Sequence, residues 1–248
     1  MSSSPVLLAL DTAGACPGVA VRSGDGRILA RYLDPASSKR CEGVAALTSA
    51  LLADAGVGVD RIDSIAVVTG PGSYTGLRTG LAFVRGLAFV GSTKVIAVGA
   101  LELLAYRGGR RGRTVAALAD AGSGRFYLGL YRHDGECVLE LTAVTLADLE
   151  QVRAAIGDLE QGTEILVAAD ARSHPGAVAA SSLHECVLVD DQSAAALAQL
   201  GQFKASRGHC SAASDVLPCY IGTSSPKPNQ QRVASSFARP EASARHPE

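Results

Sequence analysis

The chain has 248 residues, of which 47% are hydrophobic and 19% are charged, and its formal net charge is −1. This length suits one large or two small domains, and the near-neutral charge excludes a general electrostatic attraction to nucleic acid while leaving room for local basic patches. No apolar run reaches the ~20 residues of a membrane span, since Arg85 interrupts the longest candidate, and Met-Ser-Ser-Ser lacks the basic start of a signal peptide. Six cysteines without paired or regular spacing favour free thiols over a disulfide framework or a zinc site. We therefore expect a cytoplasmic protein with no membrane contact.

The first half of the sequence predicts three strands followed by alternating helices and strands. Short apolar runs indicate the strands, and Ser23-Gly24-Asp25-Gly26 is a hairpin signal. Val44, Leu47 and Leu51 recur at helical spacing, and Gly56 ends that helix. The predicted elements are strands 6–10, 18–22 and 27–33, a helix over 42–55, a strand over 62–68, a helix over 76–90 and a strand over 95–98.

The second half predicts the same βββαβαβ order with a further closing helix. Residues 133–136, His-Asp-Gly-Glu, form another predicted hairpin turn. The predicted elements are strands 114–119, 125–133 and 137–141, a helix over 146–156, a strand over 164–168, a short helix over 175–182, a strand over 186–189 and a helix over 194–205.

This repeated order predicts an α/β fold of two tandem RNase H-like lobes, the architecture shared by actin and the Hsp70 chaperones. We place the first lobe at residues 1–106 and the second at residues 107–221. Residues 222–248 are predicted to be a disordered tail, because they contain too few large apolar residues to offset the entropy of ordering. The Arg-Gly-Gly-Arg-Arg-Gly-Arg run at residues 107–113 is the predicted linker, and both contact with RNA phosphates and simple solvation are compatible with it.

The most informative stretch is the glycine-rich loop over residues 70–76, which joins a β-branched strand to a helix. Glycines permit close backbone approach, and the free N–H groups that begin a helix can hold an anion. The loop is not a Walker A motif, because Leu77-Arg78 stands where Lys and Ser or Thr are required. Ser73 and Thr75 can cap the helix, and Pro71 presets the turn. A phosphate cradle and a structural turn at the edge of a crevice are the two interpretations.

The helix over residues 76–90 carries more apolar surface than one core contact needs. A surface helix of a monomer normally has a clear polar face, so we expect this helix to bind a partner protein. Burial by the chain's own second lobe is the alternative. The spacing of Gly76 and Gly80 would also permit close approach of another helix. One apolar stripe consists of Leu77, Leu81, Val84 and Ala88, and the other of Phe83, Leu87 and Val90.

Residues that could carry chemistry are few. Asp11 ends the first strand, where ATPases of this architecture place an aspartate that positions Mg²⁺ and phosphates. Capping of the turn by its carboxylate is the other interpretation. The first 132 residues contain no histidine, and no His pair has metal-ligand spacing on a helix. We therefore predict no metal site and no catalytic residue.

Two segments carry a family resemblance. Leu-Ala-Leu-Asp-Thr at residues 8–12 and Gly-Pro-Gly-Ser-Tyr-Thr-Gly-Leu-Arg-Thr-Gly at residues 70–80 resemble the bacterial TsaB family of tRNA threonylcarbamoyladenosine biosynthesis proteins. Asp120-Ala121 before Arg125-Phe126-Tyr127, and Pro218-Cys219-Tyr220, are weaker similarities. The residues that match the family's motif loop are Asp11, Thr12, Gly70, Pro71, Gly72, Ser73, Thr75, Gly76 and Arg78.

The resemblance implies a non-catalytic relative of the enzyme TsaD that pairs with it through the two N-terminal helices. In the family this complex, with the ATPase TsaE, transfers threonylcarbamoyl to N6 of the adenosine 3′ of the anticodon. It implies no cofactor for this chain, ATP and Mg²⁺ handled by partner proteins, tRNA met through the complex, and self-pairing as a further option. The implied partner-binding residues are Leu77, Leu81, Phe83, Val84 and Leu87 in the second helix and Val44, Leu47 and Leu51 in the first.

The competing hypothesis is a small-molecule kinase or ATPase of the actin-like fold. It would use Asp11 and the loop over residues 70–76, and it predicts that the isolated chain binds ATP with Mg²⁺. A peptidase is a third hypothesis, which the distribution of the histidines disfavours.

Overall fold

Two mixed β-sheets, one from each half of the chain, form the framework of the molecule. The computed structural model describes residues 5–34, 43–89, 93–159, 164–168, 186–190 and 192–222. The predicted helix over residues 175–182 and the predicted tail after residue 222 lie outside these ranges. None of the described helices is long and apolar enough to cross a membrane.

The first sheet follows the predicted order of elements. They are β1 (Leu7–Asp11), β2 (Gly18–Arg22), β3 (Ile28–Tyr32), α1 (Val44–Ala55), β4 (Ser64–Gly70), α2 (Tyr74–Phe89) and β5 (Lys94–Gly99). The strands lie in the order β3-β2-β1-β4-β5. The first three pair antiparallel, and β4 and β5 extend the sheet in parallel with β1. All residues of β1 and β4 are buried, as expected for central strands covered on both faces.

The two faces of this sheet pack against different helices, because successive residues of a strand point to opposite sides. On one face, Leu8 shares an apolar core with Leu51 of α1 and Leu81 of α2. On the other face, Leu7 belongs to a core that includes Leu197 of the last helix, α5 (Ala194–Ser206). The helix that ends the second half of the chain therefore packs on the sheet of the first half.

The second sheet confirms most of the predicted strands. Its elements are β6 (Thr114–Gly122), β7 (Arg125–His133), β8 (Val138–Glu140), β9 (Thr145–Asp148), α4 (Leu149–Gly157), β10 (Glu164–Ala168) and β11 (Cys186–Val189). The strands lie in the order β11-β10-β6-β7-β8, and β9 pairs with β7 beside this path. The pairs β6–β7, β7–β8 and β7–β9 are antiparallel, and β10 runs parallel to β6 and β11.

The helix predicted from residue 146 begins later, and a strand takes its first residues. Leu146 lies in β9, where it pairs with Tyr127 of β7. Asp148 is the N-cap of α4: its carboxylate accepts a hydrogen bond from the Gln151 N–H at 2.8 Å, and the Gln151 side chain accepts one from the Asp148 N–H at 2.9 Å. This reciprocal capping box fixes the start of the helix after Asp148.

A helix that is not predicted from the sequence connects the two sheets. Residues of α3 (Ala100–Gly108) pack on both: Leu103 belongs to the core of the first sheet, and Leu101 and Leu104 to that of the second. The predicted boundary between residues 106 and 107 therefore falls inside a helix, and the connection to β6 is shorter than predicted. Because α3 and α5 each pack across this boundary, the two halves share their helices.

Candidate partner-binding face and the cleft between the sheets

The glycine-rich loop over residues 70–76 packs against the turn that follows β1. The Ser73 N–H donates to the Ala13 carbonyl at 2.9 Å, and the Thr12 hydroxyl donates to the Gly76 carbonyl at 2.8 Å. A Cβ on Gly76 would lie 1.9 Å from the Thr12 carbonyl oxygen, and one on Gly80 would lie 2.3 Å from the Thr12 hydroxyl. The glycines therefore bring α2 close to this chain's own turn, and the close approach of a second helix predicted from Gly76 and Gly80 is wrong.

The first turn of α2 agrees with a structural role for the loop. Ser73 directly precedes the helix, and its hydroxyl accepts a hydrogen bond from the Gly76 N–H at 3.2 Å, as predicted for a cap. Thr75 lies inside the first turn and does not cap it. Two of the N–H groups that an anion would use, those of Ser73 and Gly76, already have partners within the chain.

Asp11 is buried where β1 ends, and both of its carboxylate oxygens have partners. One accepts a hydrogen bond from the Ala13 N–H at 2.8 Å, and the other accepts one from the Ser193 hydroxyl at the start of α5. Burial raises the pKa of the Asp11 carboxyl above its ordinary value, although these hydrogen bonds and the Arg107 charge oppose the change. This arrangement supports the turn-capping interpretation of Asp11 and also ties β1 to α5.

A cleft of about 580 Å³ separates the turn after β1 from the second sheet. Residues 11–15 and 71–73 line one side, and residues 119–122 line the other. At its rim, the Arg107 guanidinium donates to both the carboxylate and the carbonyl of Asp190. Asp11 and Arg107, two of the charged groups that face the cleft, are therefore occupied within the molecule. Among the residues that the structure describes, no group of three His, Cys, Asp or Glu side chains could hold a metal ion.

Five of the eight predicted partner-binding residues lie in the core. In α2, Leu77, Leu81 and Val84 are at most 3% exposed, and in α1 Val44 and Leu51 are at most 2% exposed. The reason is that the sheet buries the inner stripe of each helix. These five side chains are inaccessible to a partner in this structure, which corrects that part of the predicted set. The other three, Leu47, Phe83 and Leu87, are half-buried at the edge of the core, and their role stays a prediction.

The solvent side of α2 carries residues that the sequence reading did not assign to a partner. We define the outer face of α2 as six residues that share one side of the helix at helical spacing. Phe89 is 91% exposed and Tyr74 is 55% exposed, while Ala82 and Gly86 leave a low surface between them. The outer face consists of Tyr74, Arg78, Ala82, Arg85, Gly86 and Phe89.

Residues 213–220, the C-terminal segment, run along one edge of the outer face. The Arg85 guanidinium donates to the Val216 carbonyl at 2.8 Å, and Val216 is buried in the core beneath. The Arg78 guanidinium donates to the Tyr220 hydroxyl at 3.0 Å and lies 4.0 Å from the centre of the Tyr74 ring. These contacts hold the two arginines in place and add Tyr220, a third exposed aromatic ring, to the edge of the face.

Comparison with known proteins gives a consistent assignment. A family model described as "TsaD: tRNA N6-adenosine threonylcarbamoyltransferase" matches residues 35–199. The tRNA threonylcarbamoyladenosine biosynthesis protein TsaB of Bacillus subtilis (strain 168) is 31% identical over 145 residues, which are 57% of this chain and 63% of that protein. The tRNA N6-adenosine threonylcarbamoyltransferase of Geobacter sp. (strain M21) is 45% identical over 67 residues, 27% of this chain and 20% of that protein. The matched region thus spans less than two thirds of the length of these curated relatives.

A solved structure agrees over a longer range. YeaZ from Pseudomonas aeruginosa superposes with a TM-score of 0.75 and 27% identity, covering 88% of this chain and all of that one. The RNase H-like, actin-like fold predicted from the sequence is confirmed. Because the family model matches more than half of its residues, the chain belongs to the TsaD family, and its predicted membership of the TsaB group within that family is confirmed.

Proposed function

We propose that this chain is a non-catalytic partner subunit of the complex that installs threonylcarbamoyl on N6 of the adenosine 3′ of the tRNA anticodon, and that it acts by pairing with a TsaD-like paralogue. The names of its relatives place them in this biosynthesis. The observation that carries the proposal is the contrast between an exposed outer face of α2 and a cleft whose charged groups Asp11 and Arg107 are engaged within the chain.

The outer face of α2 has the chemistry of a protein-binding surface. Aromatic and arginine side chains dominate the energetics of protein interfaces, and Phe89, Tyr74 and Arg78 supply them here. Burial of an exposed Phe side chain stabilises a complex by roughly 1.5–3 kcal/mol. Because Arg78 is already held against two tyrosine rings, it loses little rotamer freedom when a partner docks.

Helix α1 would contribute to the same interface. Its solvent side consists of small side chains, so the backbone of a partner helix can approach closely. Leu47 of α1 and Phe83 and Leu87 of α2 are half-buried and would add apolar contact at the margins. The exposed small residues of α1 are Ala45, Ala46, Ser49 and Ala50.

We further propose that ATP and Mg²⁺ are handled by partner proteins, including a TsaE-like ATPase, and that the chain meets tRNA through the complex in the cytoplasm. Self-pairing through the same face would compete with the paralogue. The kinase or ATPase alternative is not favoured, because the Asp11 carboxylate that it requires is engaged by Ala13 and Ser193.

The test is co-purification of the full chain with its TsaD-like paralogue. Phe89→Asp should lower the recovered complex at least about tenfold, because a charge then replaces a buried ring at the interface. Leu141→Asp is the matched control, since Leu141 is 47% exposed directly after β8 of the second sheet and its replacement should leave recovery unchanged. Equal recovery of wild type and Phe89→Asp would reject the outer face as the interface. Leu81→Asp is unsuitable, because Leu81 lies in the core and its loss would unfold the protein.

A further inference from the structure

The arginine run of the predicted linker divides into two parts with different surroundings. Arg107 belongs to α3 and pairs with Asp190, so it faces the cleft. The next three arginines follow the end of α3 and lie in the turn over residues 110–113, which we call the arginine turn. All three are exposed: Arg110, Arg111 and Arg113.

The arginine turn is held in a defined geometry. The Gly112 N–H donates to the His133 carbonyl at 2.7 Å, and the His133 N–H donates to the Arg113 carbonyl at 3.0 Å. From β7, the exposed Arg132 donates a side-chain hydrogen bond to the Gly112 carbonyl at 3.1 Å. The turn is therefore an extension of the β6–β7 ladder, and it presents its guanidinium groups from a fixed backbone.

A groove of about 600 Å³ lies beside the turn, and Arg111 forms one wall. The β7–β8 hairpin turn, where Gly135 has a positive φ of 111°, also lines the groove and packs directly against Arg111. A Cβ at Gly135 would lie 2.9 Å from Arg111 Cδ, so the absence of a side chain there makes room for Arg111. The glycine at position 135 thus allows Arg111 to lie at the edge of an open groove.

The charge of this region differs from that of the whole chain. The region has four exposed arginines (Arg110, Arg111, Arg113 and Arg132) and two exposed acids (Asp134 and Glu136), a net charge of +2, whereas the whole chain has a net charge of −1. The Asp134 carboxylate also accepts hydrogen bonds from the Cys137 and Glu136 N–H groups, which reduces its capacity to neutralise the arginines. Each guanidinium has five N–H donors and matches the geometry of a phosphate, so one internal contact does not exhaust it.

We propose that the arginine turn binds the sugar-phosphate backbone of RNA and thereby gives the chain a direct contact with tRNA. This inference rests on the proposed function, which brings the chain next to tRNA. The recognition is electrostatic and independent of sequence, because the region presents arginines for phosphates and no exposed aromatic side chain for stacking on bases.

The test measures binding of fluorescein-labelled, unmodified tRNA by fluorescence anisotropy, with the full chain alone and in complex with the TsaD-like paralogue. The triple variant Arg110→Gln, Arg111→Gln, Arg113→Gln should weaken tRNA binding by about tenfold and reduce the salt dependence of log K by about 2. The matched control is Arg27→Gln, Arg61→Gln, Arg153→Gln, which removes the same charge from exposed positions elsewhere. It should leave tRNA affinity within about twofold of wild type.

Three results would overturn the proposal: no measurable tRNA binding by the wild-type chain and its complex, equal losses in the two triple variants, or loss in neither. Co-purification with the paralogue is measured on the same samples. If the arginine-turn variant loses the paralogue and keeps tRNA affinity, the turn is a protein contact and the RNA proposal is wrong. If wild type fails to bind the paralogue at all, the proposed function fails, while tRNA binding by the isolated chain still decides the role of the turn.

Discussion

The cleft between the sheets and the outer face of α2 start at the same glycine-rich loop but use their side chains in opposite ways. On the cleft side, the Asp11 carboxylate and the Arg107 guanidinium bind to groups of the same chain. On the helix side, Tyr74 is exposed next to an ordered Arg78, and Phe89 is exposed at the other end of α2. Burial of exposed apolar surface drives association. The contrast therefore favours the outer face of α2 over the cleft as the surface that binds a partner.

The contacts of the glycine-rich loop also explain why this motif needs its glycines. The glycines at residues 76 and 80 allow α2 to lie against Thr12, so the motif positions the helix. A loop built to hold phosphate would instead leave its N–H groups free. The motif therefore links the two regions: it fills part of the cleft wall and fixes the orientation of the outer face.

The largest loss of stability is expected from Gly76→Ala, which disturbs the packing of α2 against the turn after β1. The new Cβ would lie 1.9 Å from the Thr12 carbonyl oxygen, so α2 must move or the turn must open. We expect a loss of at least about 3 kcal/mol in the free energy of unfolding, measured by urea denaturation. Gly86→Ala in the same helix is the control, because nothing lies within 4 Å of the added Cβ. It should stabilise the protein by up to about 1 kcal/mol, and equal effects of the two variants would contradict the close packing.

A smaller effect is expected from Arg85→Ala, which tests how the C-terminal segment supports the outer face. The variant removes hydrogen bonds from a charged group to the Val216 and Ala213 carbonyls and should cost about 1.5–3 kcal/mol. Limited proteolysis should show faster cleavage within residues 213–220. Arg153→Ala on the exposed side of α4 should change stability by less than about 0.5 kcal/mol. Unchanged proteolysis of Arg85→Ala would show that the segment is held by other contacts.

The smallest change in stability, and the one that depends most on pH, is expected from Asp11→Asn. An amide can keep both hydrogen bonds, accepting from the Ala13 N–H and donating to the Ser193 hydroxyl. Because burial raises the pKa of Asp11 in the folded state, wild type has no penalty below the unfolded pKa and loses stability as the pH rises through the folded pKa. Asp11→Asn should therefore gain stability relative to wild type as the pH rises above the ordinary Asp pKa of about 4, because only wild type must then keep an ionised carboxylate buried. A difference between the two proteins that does not vary with pH would contradict this account.

The local features of the fold were predictable from the sequence. Apolar runs bounded by turn signals located β2 and β7 with the bounds that the structure has. The spacing of Asp148 and Gln151 is the sequence signature of a capping box, and it indicates that α4 starts after Asp148 and not at residue 146. Helix α3 was missed because its Leu-rich sequence follows β5 without a turn residue other than Gly99.

The candidate site was less predictable, because it depends on contacts between distant residues. Both sides of α2 are apolar enough to be buried, and only the packing of the sheet shows that Leu81 faces inward while Phe89 faces solvent. The ordering of Arg78 depends on Tyr220, which lies 142 residues further along the chain. Helical periodicity carries no information about such a contact.

The most direct test of the central claim is a calorimetric titration of the TsaD-like paralogue into wild type, Phe89→Asp and Asp11→Asn. If the outer face of α2 is the binding surface, the dissociation constant of Phe89→Asp should rise at least about tenfold and that of Asp11→Asn should stay within about twofold of wild type. A large loss of affinity for Asp11→Asn, with the affinity of Phe89→Asp unchanged, would contradict the account and indicate that the cleft is the functional site.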